Sequence, residues 1–287
     1  MRDERVKWAF LLPAVGWILT FTVYPLVYSL TLSFQDWNLT SPPRWVGFAN
    51  YLRALQDPRM HNALRITGFF VAATVTVELV FGFALALVFH RPIWGSRALR
   101  AVVVAPLFTS PIALAFLGMM LFHEEDGPIA HLLRMLGLPR VHWLSDPATA
   151  LGSLILLDVW QWTPFAFLVF LAGLTGVPQE PIEAAIVDGA GRWAVLRHVL
   201  LPLLAPVAVT TILFKFIYSV KVFDLAFGLT GGGPGISTEV LALYIHRQGL
   251  EFFNLGYASA LSYVFLVLVV LGCTVLLLRV RRLYEVA

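Results

Sequence analysis

Apolar residues in this chain fall in long runs, with polar residues gathered between them. Six runs, at about 8–34, 62–90, 98–122, 148–174, 200–225 and 257–278, each exceed the roughly 20 residues that a helix needs to cross a bilayer. The pattern predicts an all-α integral membrane chain of six spanning helices, with residues 1–287 forming a single transmembrane domain. Pro13 and Pro25 fall inside the first run, where neighbouring helices can satisfy the backbone groups they free. Pro106 and Pro111 bracket Thr109 and Ser110 and predict a break in the third helix. The stretches 35–61 and 123–147 read as polar loops, and Gly231–Gly235 as a flexible glycine loop.

One connection differs from the rest. Residues 176–202 carry Glu-Ala-Ala-Ile-Val-Asp-Gly-Ala-Gly-Arg-Trp from Glu183 and then Leu201-Pro202, and Ala205-Pro206 follow just beyond. Pro178 and Pro181 stand where proline fits the first turn of a helix. Ile182, Ala185 and Ile186 then share a helical face, with Glu183 and Asp188 off it. Gly189 and Gly191 end that helix, and Trp193, Leu196 and Leu200 mark a second apolar stripe. The expectation is two short amphipathic helices at a glycine corner, too polar to cross a bilayer and open to a partner.

Bulk properties narrow the class. The chain is 59% hydrophobic and 13% charged, against about 25% charged in soluble domains. Its net charge of +3 is scattered, which fits an inside/outside bias and not a nucleic-acid patch. With the N-terminus in the cytoplasm, eleven Lys/Arg fall inside, six fall in outside loops, and Arg65, Lys215 and Lys221 fall in or at the start of spans. Both termini and the 176–202 loop are therefore expected to be cytoplasmic. The first run is longer than the roughly 7–15 residues of a signal-peptide core and reads as a retained span. Cys273 is the only cysteine, so no disulfide framework is available within one chain.

The 176–202 stretch resembles the EAA loop of the membrane subunits of binding-protein-dependent ABC importers, in register from Glu183 through Pro206. Leu196 stands where that family has phenylalanine. The resemblance implies a type I importer permease (MetI-like) fold. It also implies a coupling role for Glu183, Ala184, Ala185, Asp188, Gly189 and Ala190. Leu229-Thr-Gly-Gly-Gly-Pro, Ser237-Thr-Glu-Val, Gly256-Tyr-Ala-Ser-Ala260 and Gly47-Phe-Ala-Asn-Tyr51 resemble the first-type permease of carbohydrate importers. That similarity implies a different second permease subunit, two ATPase subunits, an extracellular solute-binding protein and a bacterial or archaeal inner-membrane location. No nucleic acid is implied.

The energy source lies elsewhere by the same reading. A phosphate-cradling P-loop needs Gly-Lys-Ser/Thr, and Lys7, Lys215 and Lys221 are followed by Trp, Phe and Val. ATP and Mg are expected on partner chains, with no cofactor on this one and no enzymatic activity of its own. No metal-ligand spacing is present among the histidines.

Charged groups inside spans are costly and mark cavities or partners. Asp158, Gln161, Trp162 and Phe165 share one face of the fourth helix, and Lys215, Tyr218, Ser219 and Val222 share one face of the fifth. With Phe108 at the break in the third helix, these residues form a candidate sugar site. Carboxylate and amide suit hydroxyls, and rings suit the apolar sugar face. Asp158 pairing with Lys215 or Lys221 is the structural alternative, and Glu78 reads as a lone carboxylate. Import of glycerol-3-phosphate or a polyol, and ion-coupled transport through Asp158, Glu78 and the lysines, are the functional alternatives.

Overall fold

The computed structural model describes residues 2–91 and 94–284. The outermost residues of the expected 1–287 domain, and Pro92 and Ile93, lie outside that description. So do the side chains of Arg2, Arg5, Arg279, Arg281 and Arg282, five of the basic residues behind the orientation count.

In chain order, α1 (Arg2–Ile18) passes through a π turn at Leu19–Val23 into α2 (Tyr24–Ser33). A two-stranded ribbon, β1 (Gln35–Asp36) and β2 (Arg44–Trp45), leads to α3 (Ala49–Gln56) and the long α4 (Pro58–Phe89). Next come α5 (Ser96–Val104), a 3₁₀ turn at Ala105–Phe108, α6 (Pro111–Leu121), α7 (Pro128–Met135) and α8 (Pro147–Thr175). Then follow α9 (Glu180–Val187), α10 (Arg192–Val195) and, after a π turn at Leu196–Leu200, α11 (Leu201–Val220). The chain closes with α12 (Asp224–Thr230), α13 (Leu241–His246), a π turn at Arg247–Glu251 and α14 (Leu255–Tyr284). Two of the π turns have a proline two residues beyond their end, Pro25 and Pro202. Proline cannot donate to the carbonyl four residues back, and the ladder widens there.

Among the described residues, five helices are long and apolar enough to span a membrane: Phe10–Ser33, Pro58–Phe89, Pro147–Thr175, Arg192–Val220 and Leu255–Leu278. A sixth span exists if Ser96–Phe108 and Pro111–Leu121 are counted together across their 100° bend. Six spans are thus compatible with the structure, and the break falls at the expected Thr109–Ser110. Both residues are extended, at ψ 132° and 135°, and Pro111 disfavours helix at Ser110, the residue before it.

The fifth span departs from expectation at both ends. It begins at Arg192 with no break, so the second amphipathic stripe belongs to the span and is not a separate surface helix. It ends at Val220, because Lys221–Phe223 leave the helix before α12 starts afresh at Asp224. The stretches read as loops contain α3 and α7. The glycine stretch is also held more tightly than expected. Thr238 Oγ1 donates to the Gly233 carbonyl at 2.8 Å and meets Thr230 Oγ1 at 2.6 Å, and Thr238 and Glu239 are fully buried.

Two compact units divide the chain. The first takes residues up to His61 together with Tyr244–Leu268. Asn50 Nδ2 donates to the Ser33 and Gln35 carbonyls at 3.0 and 2.9 Å, and Tyr51 OH meets Ser33 Oγ at 2.7 Å. Tyr244 and Tyr257 both donate their hydroxyls to Asp57 Oδ2, with Arg53 4.1 Å over the Tyr257 ring. Burial raises the Asp57 pKa, but these hydrogen bonds and those from the Arg59 and Met60 N–H groups hold it below the ordinary value. The Gly47–Tyr51 and Gly256–Ala260 motifs therefore act as packing pieces of this unit.

The second unit takes Asn62–Leu243 and the chain from Val269 onward. One core cluster gathers Phe70, Leu114, Leu154, Leu157 and Leu225, and another gathers Ala86, Phe89, Phe167, Phe170 and Leu204. Small residues let helices approach closely. A Cβ on Gly82 would meet Ala166 at 2.5 Å, and one on Gly228 would meet Ala115 at 2.7 Å. The apolar windows of the spans keep most of their surface uncovered, from half buried in Pro147–Thr175 to none in Phe10–Ser33. That uncovered surface suits lipid.

Candidate functional site

Three spanning helices converge on one ammonium. Lys215 of α11 places Nζ 3.0 Å from Glu78 Oε1 of α4 and 3.3 Å from Asp158 Oδ2 of α8, with all three side chains at most 3% exposed. Charges this deep are held only when paired. Glu78 is therefore not a lone carboxylate, and Asp158 takes Lys215 as its partner. The Lys215 ammonium also lies 4.8 Å from the Trp162 ring and 5.4 Å from the Tyr218 ring. Those rings sit with centroids 3.9 Å apart and screen the ammonium by cation–π attraction.

Asp158 also lines a cavity of about 230 Å³. Gln161, Tyr218, Lys221 and Asp224 supply the rest of its polar wall, and Pro111, Val222, Phe223 and Leu225 its apolar wall. Gln161 Nε2 donates to the Thr109 carbonyl at 2.5 Å. The break before Pro111 frees that carbonyl, and the buried amide satisfies it. Pro111, at the start of α6, brings the broken third helix to the cavity.

Of the eight candidate solute residues, Asp158, Gln161, Tyr218 and Val222 reach the cavity wall. Trp162 meets Tyr218 at a tilt of 49°, and Phe165 lies beyond it, with ring centroids 6.2 Å from Trp162 and 6.5 Å from Phe214. Ser219 is fully buried with its Oγ unbonded and is not among the lining residues. Phe108 is 83% exposed and lies off the cavity. Lys221 and Asp224 were not expected in the wall. They read as residents of a longer fifth span, and only its early end at Val220 turns them inward. A charged pair where an apolar run tapers off was the available signal.

A second constellation lies in the 176–202 loop. Pro181 opens α9, and Glu180 and Glu183 occupy its first turn, where carboxylates offset the helix dipole. No residue of α9 is buried, and Ile186 and Val187 are 58% and 86% exposed. The C-terminus closes as a Schellman motif: Ala190 N–H bonds the Ala185 carbonyl at 2.9 Å, and Gly189 N–H bonds the Ile186 carbonyl at 3.0 Å. This puts Gly189 at φ +83°, a conformation that a Cβ strains, although no atom lies within 4 Å of where the Cβ would be. Asp188 caps the helix, with its N–H on the Ala184 carbonyl at 3.0 Å. Ile182, Ile186 and Ala190 face a cavity of about 890 Å³ shared with Leu87, Leu174 and Trp193, and Ile182 also packs against the cluster that holds Phe167 and Leu204.

Residues 78–285 match the family described as the binding-protein-dependent transport system inner membrane component. This chain belongs to that family.

The permease is 32% identical over 285 residues to the trehalose/maltose transport system permease of Thermococcus litoralis, which covers 98% of this chain and 95% of the relative. It is 33% identical to the trehalose transport system permease of Mycobacterium tuberculosis, covering 95% and 86% of the two chains. It is 34% identical to the sulfoquinovosyl glycerol permease of Agrobacterium fabrum, covering 91% and 86%. Its fold matches a bacterial ABC transporter involved in alginate import, with a TM-score of 0.85 at 23% identity over 98% and 96% of the chains. The inward-facing MetNI methionine transporter matches at 0.55, with 18% identity over 78% and 96%. The permease thus has the MetI-like fold that the loop resemblance implied.

Proposed function

We propose that this permease forms one half of the translocation path of an ATP-driven carbohydrate importer, with a di- or oligosaccharide as solute. A different second permease completes the path. Two ATPase subunits bind ATP and Mg, and each accepts one coupling loop in a surface cleft. A loaded solute-binding protein docks on the outer face. The observation that carries this reading is α9, a helix with no buried residue that carries Glu-Ala-Ala at its middle and closes on a glycine. The relatives named for trehalose, maltose and sulfoquinovosyl glycerol support the solute class.

In this mechanism both termini and the 176–202 loop face the cytoplasm, in line with the excess of basic residues on that side. Ala184 and Ala185 leave little side-chain bulk, so the ATPase surface approaches the α9 backbone. Glu183 pairs with a basic group across that contact. Closure of the ATPases on ATP moves the loop and rocks the packed helices as rigid bodies. The intramembrane cavity then opens outward, receives solute from the binding protein, and returns inward after hydrolysis.

The test is ATPase activity in lipid, of this chain alone and co-expressed with candidate partners, with and without binding protein and sugars. The expected result is no activity alone, and activity in the assembly that one loaded binding protein raises. If no ATPase subunit associates and uptake follows an ion gradient, the reading fails.

A further inference from the structure

We propose that the cavity beside Asp158 selects uncharged glycans, and that Asp158 and Asp224 are the residues that turn acidic ones away. The inference rests on the carbohydrate reading above and narrows its substrate class. It is carried by the charges in and behind the cavity wall.

The wall itself presents two carboxylates, Asp158 and Asp224, and one ammonium, Lys221. Lys215 does not add to its positive side. That ammonium is 1% exposed and divided between Asp158 and Glu78. No arginine is among the lining residues. A carboxylated or sulfonated sugar is best gripped by the guanidinium fork, which gives two parallel hydrogen bonds. Here an anion would meet carboxylates in a medium that screens charge far less than water does.

An uncharged sugar finds complementary groups in the same wall. Its hydroxyls donate to Asp158 and Asp224 and accept from Lys221, while the Tyr218 ring supplies an apolar face. Gln161 donates its N–H to Thr109, which leaves its amide oxygen as an acceptor for the solute. The volume, about 230 Å³, lies below the roughly 300–1,000 Å³ of sites that enclose drug-sized ligands. It suits one sugar ring, with the rest of a longer glycan extending beyond it.

The experiment uses the permease assembled with its second permease and ATPases in lipid nanodiscs. The binding protein is left out, so that only the selectivity of the membrane part is read. Saturation-transfer NMR compares neutral disaccharides (maltose, trehalose and cellobiose) with digalacturonate. At least one neutral disaccharide is expected to bind, with digalacturonate at least about ten-fold weaker, a difference near 1.4 kcal/mol. Asp224→Arg is expected to narrow that gap and Lys221→Gln to widen it. Digalacturonate binding as tight as the best neutral sugar, or a gap that neither substitution moves, overturns the charge rule alone. Binding of neither class overturns the carbohydrate reading with it.

Discussion

The Lys215 ammonium stands closer to Glu78, at 3.0 Å, than to Asp158, at 3.3 Å, and both contacts are shut away from solvent. One cation therefore ties α4 and α8 to α11, and its second partner is also part of the cavity wall. Packing and solute contact meet at Asp158.

That arrangement makes the cluster asymmetric toward substitution. Lys215→Met leaves two buried carboxylates without a counter-ion and is expected to cost about 3–5 kcal/mol, the usual consequence of breaking a buried pair. Glu78→Gln leaves the Asp158–Lys215 pair intact and is expected to be much milder. Thermal unfolding of the purified variants in detergent orders them. Equal losses would show that the pairing is not what stabilises this junction.

Gly189→Val is expected to strain the end of α9 by about 1–2 kcal/mol, because a β-branched residue is forced to φ +83°. Glu183→Lys reverses a charge that favours the first turn. Both variants should insert in the membrane and lose coupling, with ATP hydrolysis no longer matched by uptake in proteoliposomes. Retained uptake in both contradicts the role given to α9.

Gly256→Ala tests the packing role assigned to the Gly256–Ala260 motif. A Cβ there would overlap the Gln35 carbonyl oxygen, which is main chain and cannot swing aside. Overpacking of this kind costs about 1–3 kcal/mol, read as a lowered melting temperature. Gly191→Ala, with nothing within 4 Å of the new Cβ and no positive φ, is the control and should change little.

Glu124 provides a pH test in the 123–147 connection. A hydrogen bond from Ser145 Oγ at 2.5 Å lowers its pKa most. Burial opposes the shift, and His142 and the Ser145 N–H add to it, leaving a value of about 2 against the ordinary 4.5. A depressed folded pKa gives stabilisation that is complete above the ordinary value and is lost as pH falls through the folded one. The connection is thus expected to hold above pH 4.5 and to loosen progressively toward pH 2. Pepsin cleavage of this stretch, compared with Glu124→Gln at each pH, reads the change. A ratio to the variant that stays constant from pH 4.5 to 2 would contradict it.

The sequence alone determined what depends on local physics. Apolar run length fixed the spans, because bilayer thickness sets a minimum helix length. Pro111 located the break in the third helix, since it bars helix at Ser110. The spacing from Glu183 to Ala190 announced α9 and its glycine closure, since a Schellman motif is written in adjacent residues. Tertiary structure decided what depends on which faces meet. Helical periodicity placed Asp158 and Lys215 on stripes of their own helices but carried no information about rotation between helices. It therefore left the Glu78 partnership unread and did not separate Tyr218, on the cavity wall, from Ser219, buried beside it. Lys221 and Asp224 entered the wall only because α11 stops at Val220. Hydropathy records a gradual taper at that point, whereas the folded chain makes a turn.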